Sequence, residues 1–308
     1  MKVLVTGAAG FIGSALSVEL VRRGYRVEAV DGFLDGLYPR TEKLRRAENL
    51  YNNFGISVSD QDLNDNFQLN SGIDAIVHSA AMPGLSFSWS NPESYVICNE
   101  LATLNLLREI NRVKTPRLVY VSTSSVYGKM ATGTEESPTV PVSPYGSTKL
   151  AAEKLISLLI SPTTSYSIAR LFSVYGPGQR SDMAYNKFIR AALDDTEITL
   201  FGDGYQSRSN TFIDDAVDGL IRTLERGANA ETYNIGGGEE VELRDSISQI
   251  FALAGKRPNI VHKERVMGDQ ERTKANFQKA MKELGFSPQT SFIDGIKQQF
   301  EWQRSISL

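Results

Sequence analysis

The residues best suited to chemistry in this 308-residue chain are Tyr145 and Lys149, in Tyr145-Gly146-Ser147-Thr148-Lys149. On a helix, residues four apart share a face, so a phenol and an ammonium would stand side by side. A nearby ammonium, with a cationic ring beside it, favours the phenolate and lowers the tyrosine pKa toward neutrality. Such a pair also arises by chance on solvated helices, so it gains meaning only from its surroundings. Upstream, an apolar run ends in Val121-Ser122-Thr123-Ser124-Ser125-Val126-Tyr127-Gly128. Hydroxyls at the C-terminal end of a parallel strand lie where doubly wound sheets bind ligands. The plainer alternative is a serine-rich exit from a strand.

A second group of residues suits phosphate. Lys2–Thr6 reads as a strand and runs into Gly7-Ala8-Ala9-Gly10-Phe11-Ile12-Gly13 at the start of a helix. A helix N-terminus offers unpaired N–H groups to a pyrophosphate, and glycines let the backbone come close. The spacing is G-x-x-G-x-x-G, a variant of the broader dinucleotide fingerprint. Asp31 closes the next apolar run, Arg26-Val27-Glu28-Ala29-Val30-Asp31. There a carboxylate can accept both ribose hydroxyls of an adenosine, and it repels a 2′-phosphate. That points to NAD rather than NADP; the alternative is a solvated strand-end acid.

These groups need a scaffold that brings strand ends together. Short apolar runs at about 2–6, 26–31, 56–59, 74–79, 117–122 and 166–170 alternate with helical stretches near 11–23, 91–113 and 144–160. That alternation predicts an α/β fold with a doubly wound parallel (Rossmann) sheet. Asn91-Pro92-Glu93 reads as a helix start, with Asn91 as cap and Pro92 in the first turn. Beyond residue 171 glycine and proline cluster, and helical stretches fall near 214–226, 242–254 and 290–304. We expect a cofactor domain over 1–170 and a smaller α/β substrate-binding region over 171–308, with some of its segments packing back on the first.

Composition narrows the function classes. A net charge of −3 without like-charge runs argues against a nucleic-acid partner. No apolar window is long enough to span a membrane, and Met1–Gly7 reads as a strand rather than a leader. One cysteine, Cys98, excludes an internal disulfide and fits a reducing cytoplasm. Its neighbours Val96 and Ile97 suggest a packed helix position rather than a nucleophile. Neither His78 nor His262 belongs to a cluster with metal-ligand spacing, so no metal is expected. His78, ending an apolar strand, reads as a hydrogen-bonded structural histidine.

In order and spacing these motifs resemble the extended short-chain dehydrogenase/reductases of the NAD-dependent epimerase/dehydratase type. The resemblance runs through Asp62-Leu63-Asn64-Asp65, His78-Ser79-Ala80-Ala81, Asn99, Arg170-Leu171-Phe172-Ser173-Val174-Tyr175-Gly176-Pro177 and Phe201-Gly202-Asp203-Gly204. It implies a catalytic set of Thr123, Tyr145 and Lys149. It also implies NAD contacts from Gly7, Gly10, Phe11, Ile12, Gly13, Asp31, Asp62, Leu63, Ala80, Ala81, Asn99 and Ser122 besides Tyr145 and Lys149. Family members begin by oxidising the sugar of a nucleotide sugar at C4, Tyr145 taking the hydroxyl proton, Thr123 bonding the same oxygen and Lys149 holding the nicotinamide ribose. A homodimer is implied, pairing the helices near 91–113 and 144–160.

The fate of the 4-keto sugar separates the family's activities. The dehydratases this chain resembles carry Asp-Glu after the threonine, and the decarboxylases carry Ser-Glu. Here Ser124-Ser125 stand after Thr123, and serine is no general acid or base near neutral pH. Epimerisation is therefore expected, with a decarboxylase or dehydratase as alternatives and a non-catalytic NAD sensor disfavoured by the intact triad. Tyr175-Gly176-Pro177-Gly178-Gln179-Arg180-Ser181-Asp182-Met183 looks most like UDP-glucuronate 4-epimerases, which implies Arg180 facing the sugar carboxylate. A guanidinium suits a planar carboxylate, but a surface or phosphate-facing arginine is the other reading. The resemblance places Ser124, Ser125 and Ser173 at the substrate, Arg208 at the diphosphate, and Phe201 and Asp269 at the uridine. Ser173 and Ser86 depart from the family's usual asparagine and arginine, leaving a neutral UDP-glucose or UDP-galactose substrate open.

Overall fold

The computed structural model of the chain describes residues 1–264 and 268–306. Seven strands form the central sheet: β1 (Lys2–Thr6), β2 (Arg26–Asp31), β3 (Val58–Asp60), β4 (Ala75–His78), β5 (Arg117–Thr123), β6 (Ser165–Leu171) and β7 (Glu231–Ile235). All pair in parallel, in the order β7-β6-β5-β4-β1-β2-β3. The chain steps outward from β1 to β3, then crosses back to lay β4 on the other side of β1. That reversal opens a crevice at the C-terminal ends of β1 and β4, where such sheets bind ligands.

The centre of the sheet is covered on both faces, which is why β1, β4 and β5 read as largely apolar runs. Val3, Val5, Val77, Val119 and Ala169 face a core with Leu16, Leu20 and the helix Ile213–Arg226. Leu4, Ile76, Leu118 and Ile168 face Leu106, Leu107, Ile110 and Ile156 on the other side.

Several elements differ from the sequence expectation. The third strand lies at Val58–Asp60 rather than 56–59. The helix Arg40–Phe54 and β7 lack the simple patterns that would announce them, whereas Ala184–Asp194, also absent from the expectation, does carry buried apolar residues at helical spacing in Tyr185, Phe188, Ile189 and Ala192. The expected helix over 91–113 is Pro92–Tyr95, a π-helical segment Val96–Leu101 and Ala102–Val113. Pro92 does open it, but Asn91 supplies no cap, its amide bonding the Ser90 hydroxyl at 2.9 Å instead.

Four short strands, Glu240–Glu242, Ser207–Ser209, Arg272–Thr273 and Met130–Ala131, form a second, smaller sheet, the last of them contributed from between β5 and β6. No described helix is long and apolar enough to cross a membrane.

Candidate active site

The first turn after β1 is built by backbone proximity. A Cβ on Gly13 would lie 2.1 Å from the Gly7 carbonyl oxygen, and one on Gly7 would lie 2.7 Å from Ala80. Gly10 caps the helix Phe11–Arg22 with no side-chain hydrogen bond, so its first-turn N–H groups are left to an anion. At the end of β2 the buried Asp31 carboxylate accepts Ala9 N–H at 3.0 Å and Phe33 N–H at 2.8 Å. Burial pushes its pKa up, while the nearby Lys43 ammonium and the two N–H donors pull it down. A tight glycine turn, a bare helix N-terminus and a fixed acid at the second strand end together fit a dinucleotide.

The side chains expected to be catalytic come from two elements. Thr123 ends β5, and its hydroxyl caps the next 3-10 turn by accepting Ser125 N–H at 3.1 Å. Tyr145 and Lys149 lie on the helix Pro144–Leu159, started by Pro144 and by Ser143, whose hydroxyl accepts Gly146 N–H at 3.1 Å. Gly146 lets this helix press on the turn, since a Cβ there would sit 2.7 Å from the Ser125 carbonyl. Thr123, Ser124, Ser125, Tyr145 and Lys149 consequently line one cleft of about 940 Å³, together with Gly7, Gly10, Phe11, Ile12, Gly13, Asp31, Asp62, Leu63, Ala80, Ala81 and Ser122. Ser173, Arg180 and Arg208 line the same cleft.

The electrostatics differ from the sequence expectation. Burial raises the Tyr145 pKa, and the groups that pull it back are the Thr123 hydroxyl and the Arg180 guanidinium. Lys149 is itself lowered to about 7 by burial, against the pull of Glu153, and its ammonium lies 4.1 Å from the Tyr120 ring centroid. A lysine so depressed is a weaker source of positive charge than the spacing alone suggested. Glu153 is locked to Arg170 at 2.6 Å and accepts the Ser122 hydroxyl at 2.5 Å, so that hydroxyl is engaged inside the protein.

Other expected residues fall at varied distances from the cleft. Asn99 stands behind it, its amide accepting Met82 N–H at 2.7 Å and donating to the Thr148 hydroxyl at 3.0 Å. Arg208 pairs with Asp269 at 2.8 Å. Phe201 is 43% exposed at the end of the strand Ile198–Phe201, and neither it nor Asp269 lines the cleft. Cys98 is partly exposed and lines the cleft rather than packing in the core; Val96 and Ile97 beside it are 47% and 46% exposed. Burial still raises its thiol to about 11, which leaves it a poor nucleophile.

His78 is fully buried between the Thr6 hydroxyl at 2.7 Å and the Thr103 hydroxyl at 3.0 Å, and burial lowers its pKa to about 3. Among the described residues no group of three or more His, Cys, Asp or Glu is placed to hold a metal ion.

Sequence reasoning missed the cleft residues Leu37, Tyr38, Lys43, Asp182 and Gln270. Tyr38 and Lys43 come from a charged stretch without apolar periodicity. Asp182 was within reach, two residues after Arg180. Gln270 bonds the Gly128 carbonyl across 142 residues, at 2.8 Å, a pairing that no local pattern announces.

Residues 3–236 match the model of the NAD dependent epimerase/dehydratase family. The chain belongs to that family, and with it to the NAD-dependent isomerases that act on nucleotide sugars. A UDP-glucuronate 4-epimerase of Thermodesulfobacterium geofontis is 34% identical over 98% of this chain and 95% of that protein. A Bacillus subtilis protein described as an uncharacterized UDP-glucose epimerase is 37% identical over 99% of both chains. The crystal structure of UDP-glucuronic acid 4-epimerase from Bacillus cereus with UDP-glucuronic acid and NAD superimposes with a TM-score of 0.91. It shares 35% identity over 99% of this chain and all of the other.

Proposed function

We propose that this chain interconverts UDP-glucuronate and UDP-galacturonate by epimerisation at C4. The observation that carries the reading is the wall beside Tyr145: Thr123, Ser124 and Ser125 put hydroxyls there, and the guanidinium that acts on Tyr145 is Arg180. The likeness to the Bacillus cereus enzyme supports the same substrate.

NAD, when bound, accepts a hydride from the sugar and returns it. In this reading the pyrophosphate lies on the Gly7–Gly13 turn and the adenosine ribose on Asp31. Tyr145 removes the proton of the C4 hydroxyl and later gives it back, while Thr123 bonds the same oxygen and Lys149 holds the nicotinamide ribose. Ser124 and Ser125 bond the sugar without supplying an acid or base, so the keto sugar turns over rather than losing water or carbon dioxide. Residues 171–308 supply the nucleotide-sugar side, apart from segments such as the helix Ile213–Arg226 and β7 that pack back on the cofactor domain, with Arg180 at the sugar carboxylate, Ser173 beside it and Arg208 at the diphosphate. Phe201 and Asp269 meet the uridine in the same reading.

The exposed Val96, Ile97 and Leu101, with Leu158 at 77% and Leu159 at 45% exposure, support a homodimer built on the helices that carry them. The single cysteine supports a cytoplasmic setting.

The test is a panel of UDP-sugars with products identified by NMR. We expect UDP-glucuronate to equilibrate with UDP-galacturonate; stoichiometric carbon dioxide would make the enzyme a decarboxylase instead. Arg180→Ala should lower kcat/KM on UDP-glucuronate by about 1.5–3 kcal/mol more than on UDP-glucose, as for a charge-assisted pair, any loss common to both sugars reporting the lost pull on Tyr145. An equal loss on both sugars removes Arg180 from the carboxylate.

A further inference from the structure

Arg180 already has a carboxylate partner. Its Nε donates to Asp182 Oδ1 at 2.8 Å and its Nη2 to Oδ2 at 3.0 Å, so one edge of the guanidinium is fully used. The ring of Tyr38 covers one face, its centroid 5.4 Å away. The pair is nearly sealed from water, with side-chain exposures of 12% and 16%, yet both residues line the cleft that holds Tyr145 and Ser173. A guanidinium has five donors in a planar fork. Asp182 leaves the Nη1 side, which has no hydrogen-bond partner among the described residues, to receive a second carboxylate.

The loop that carries the pair is anchored independently of it. Arg46 donates to the Gly178 carbonyl at 3.0 Å and pairs with Glu42 at 3.2 Å, and Glu42 in turn accepts the Ser181 hydroxyl. The helix Arg40–Phe54 thereby fixes the chain on both sides of Arg180.

We propose that Asp182 is a specificity-determining residue, which sets how strongly the sugar pocket prefers a charged sugar over a neutral one. The inference rests on the reading that Arg180 faces the C5 substituent of the sugar. With Asp182 in place the arginine and its partner sum to no net charge. An incoming uronate then meets a cation whose field is largely cancelled, and it also feels the Asp182 carboxylate across a water-poor pocket. A neutral hexose is spared the opposite fault, a buried arginine without a counter-ion. Discrimination is a difference of two affinities, and a resident carboxylate lowers it from both sides.

The experiment compares Asp182→Asn with Arg180→Ala and the unaltered residues, all as NAD-loaded protein in a Tyr145→Phe background so that no turnover intervenes. Calorimetric titration gives the dissociation constants of UDP-glucuronate and UDP-glucose, and thermal unfolding establishes that each variant is folded. Asparagine keeps one oxygen for the arginine, and the Arg46–Gly178 anchor remains.

We expect Asp182→Asn to raise the preference for UDP-glucuronate over UDP-glucose roughly tenfold or more, through tighter uronate binding and weaker hexose binding. A ratio unchanged or lowered in Asp182→Asn, while Arg180→Ala does reduce discrimination, overturns the role of Asp182 and keeps that of Arg180. If Arg180→Ala weakens both sugars alike, the underlying reading of Arg180 fails and this inference falls with it. Asp182→Ala is the second variant: it removes the same charge and the tether as well, so its gain should not exceed that of asparagine, and a gain with alanine but none with asparagine would mean that Asp182 acts by bulk rather than by charge.

Discussion

Replacing Asp31 by Asn tests the cofactor half of the site and separates two jobs that one carboxylate performs. Asp31 is 7% exposed and spends one lone pair of each oxygen on the backbone, on Ala9 N–H at 3.0 Å and Phe33 N–H at 2.8 Å. Asparagine keeps one of these acceptors and turns an NH₂ group toward the other donor. One buried N–H is then orphaned, which should lower stability by about 1–3 kcal/mol, read as a shift in the denaturant midpoint. The lost charge acts separately on the cofactor. Exchanging a charge-assisted ribose contact for a neutral one at about 1.5–3 kcal/mol predicts NAD binding roughly 10- to 150-fold weaker. NADP should lose much less, because the repulsion of its 2′-phosphate disappears and Lys43, which lines the same cleft, no longer has the Asp31 charge beside it. Titration of cofactor-free protein with both dinucleotides measures the two constants. If their ratio stays put in the variant, Asp31 does not select the cofactor, whatever happens to stability.

Two further outcomes are expected from the same geometry. Tyr145→Phe keeps the ring but removes the base, and turnover should fall at least about a hundredfold with NAD still bound; near-normal turnover would remove Tyr145 from the proton transfer. His78 has its pKa lowered to about 3 from an ordinary 6.5, so between those values the unfolded chain binds a proton that the folded chain refuses. Its contribution to stability is therefore whole above pH 6.5 and is lost as pH falls toward 3, by at most about 1.4 kcal/mol per unit. Imidazole NMR signals of His78 should stay in the neutral form down to about pH 4, and a midpoint near 6.5 would contradict burial as the controlling influence.

The parts legible in the sequence are those where one physical demand dominates. β1, β4 and β5, and the second half of β2, are buried, so each shows as a short apolar run, and the glycine turn and the Tyr145–Lys149 spacing are local geometry written as local pattern. The helix Arg40–Phe54 was invisible because Leu50 is its only fully buried residue. Its work is done by Glu42, Lys43 and Arg46, charged side chains that a pattern of apolar spacing counts as solvent-facing. β7 was hidden for another reason: Glu-Thr-Tyr-Asn-Ile has polar residues on a strand whose Asn234 is wholly buried and hydrogen-bonds Tyr127 at 2.7 Å. The lowered Lys149 and raised Tyr145 pKa values belong to the same class, since burial depends on the whole assembled site and not on a spacing of four.

The close approach of Gly13 to Gly7 restricts how this site can change. A methyl group at position 13 would meet backbone 2.1 Å away, so even the smallest substitution must displace a strand end or a helix start. The turn is thus a dead end for stepwise variation, whether by selection or by design. Gly10 offers little more room, with 3.0 Å to the same carbonyl. The neighbourhood of Asp31 is different, because beside its backbone contacts to Ala9 and Phe33 it includes side chains on the segment that follows β2, Lys43 among them. A lineage drifting toward another dinucleotide has that one adjustable stretch to work with, and the same stretch touches Arg180 through Tyr38. If Asp31 reads the cofactor and Arg180 the sugar, the two choices are coupled through Tyr38 and cannot evolve here as wholly separate traits.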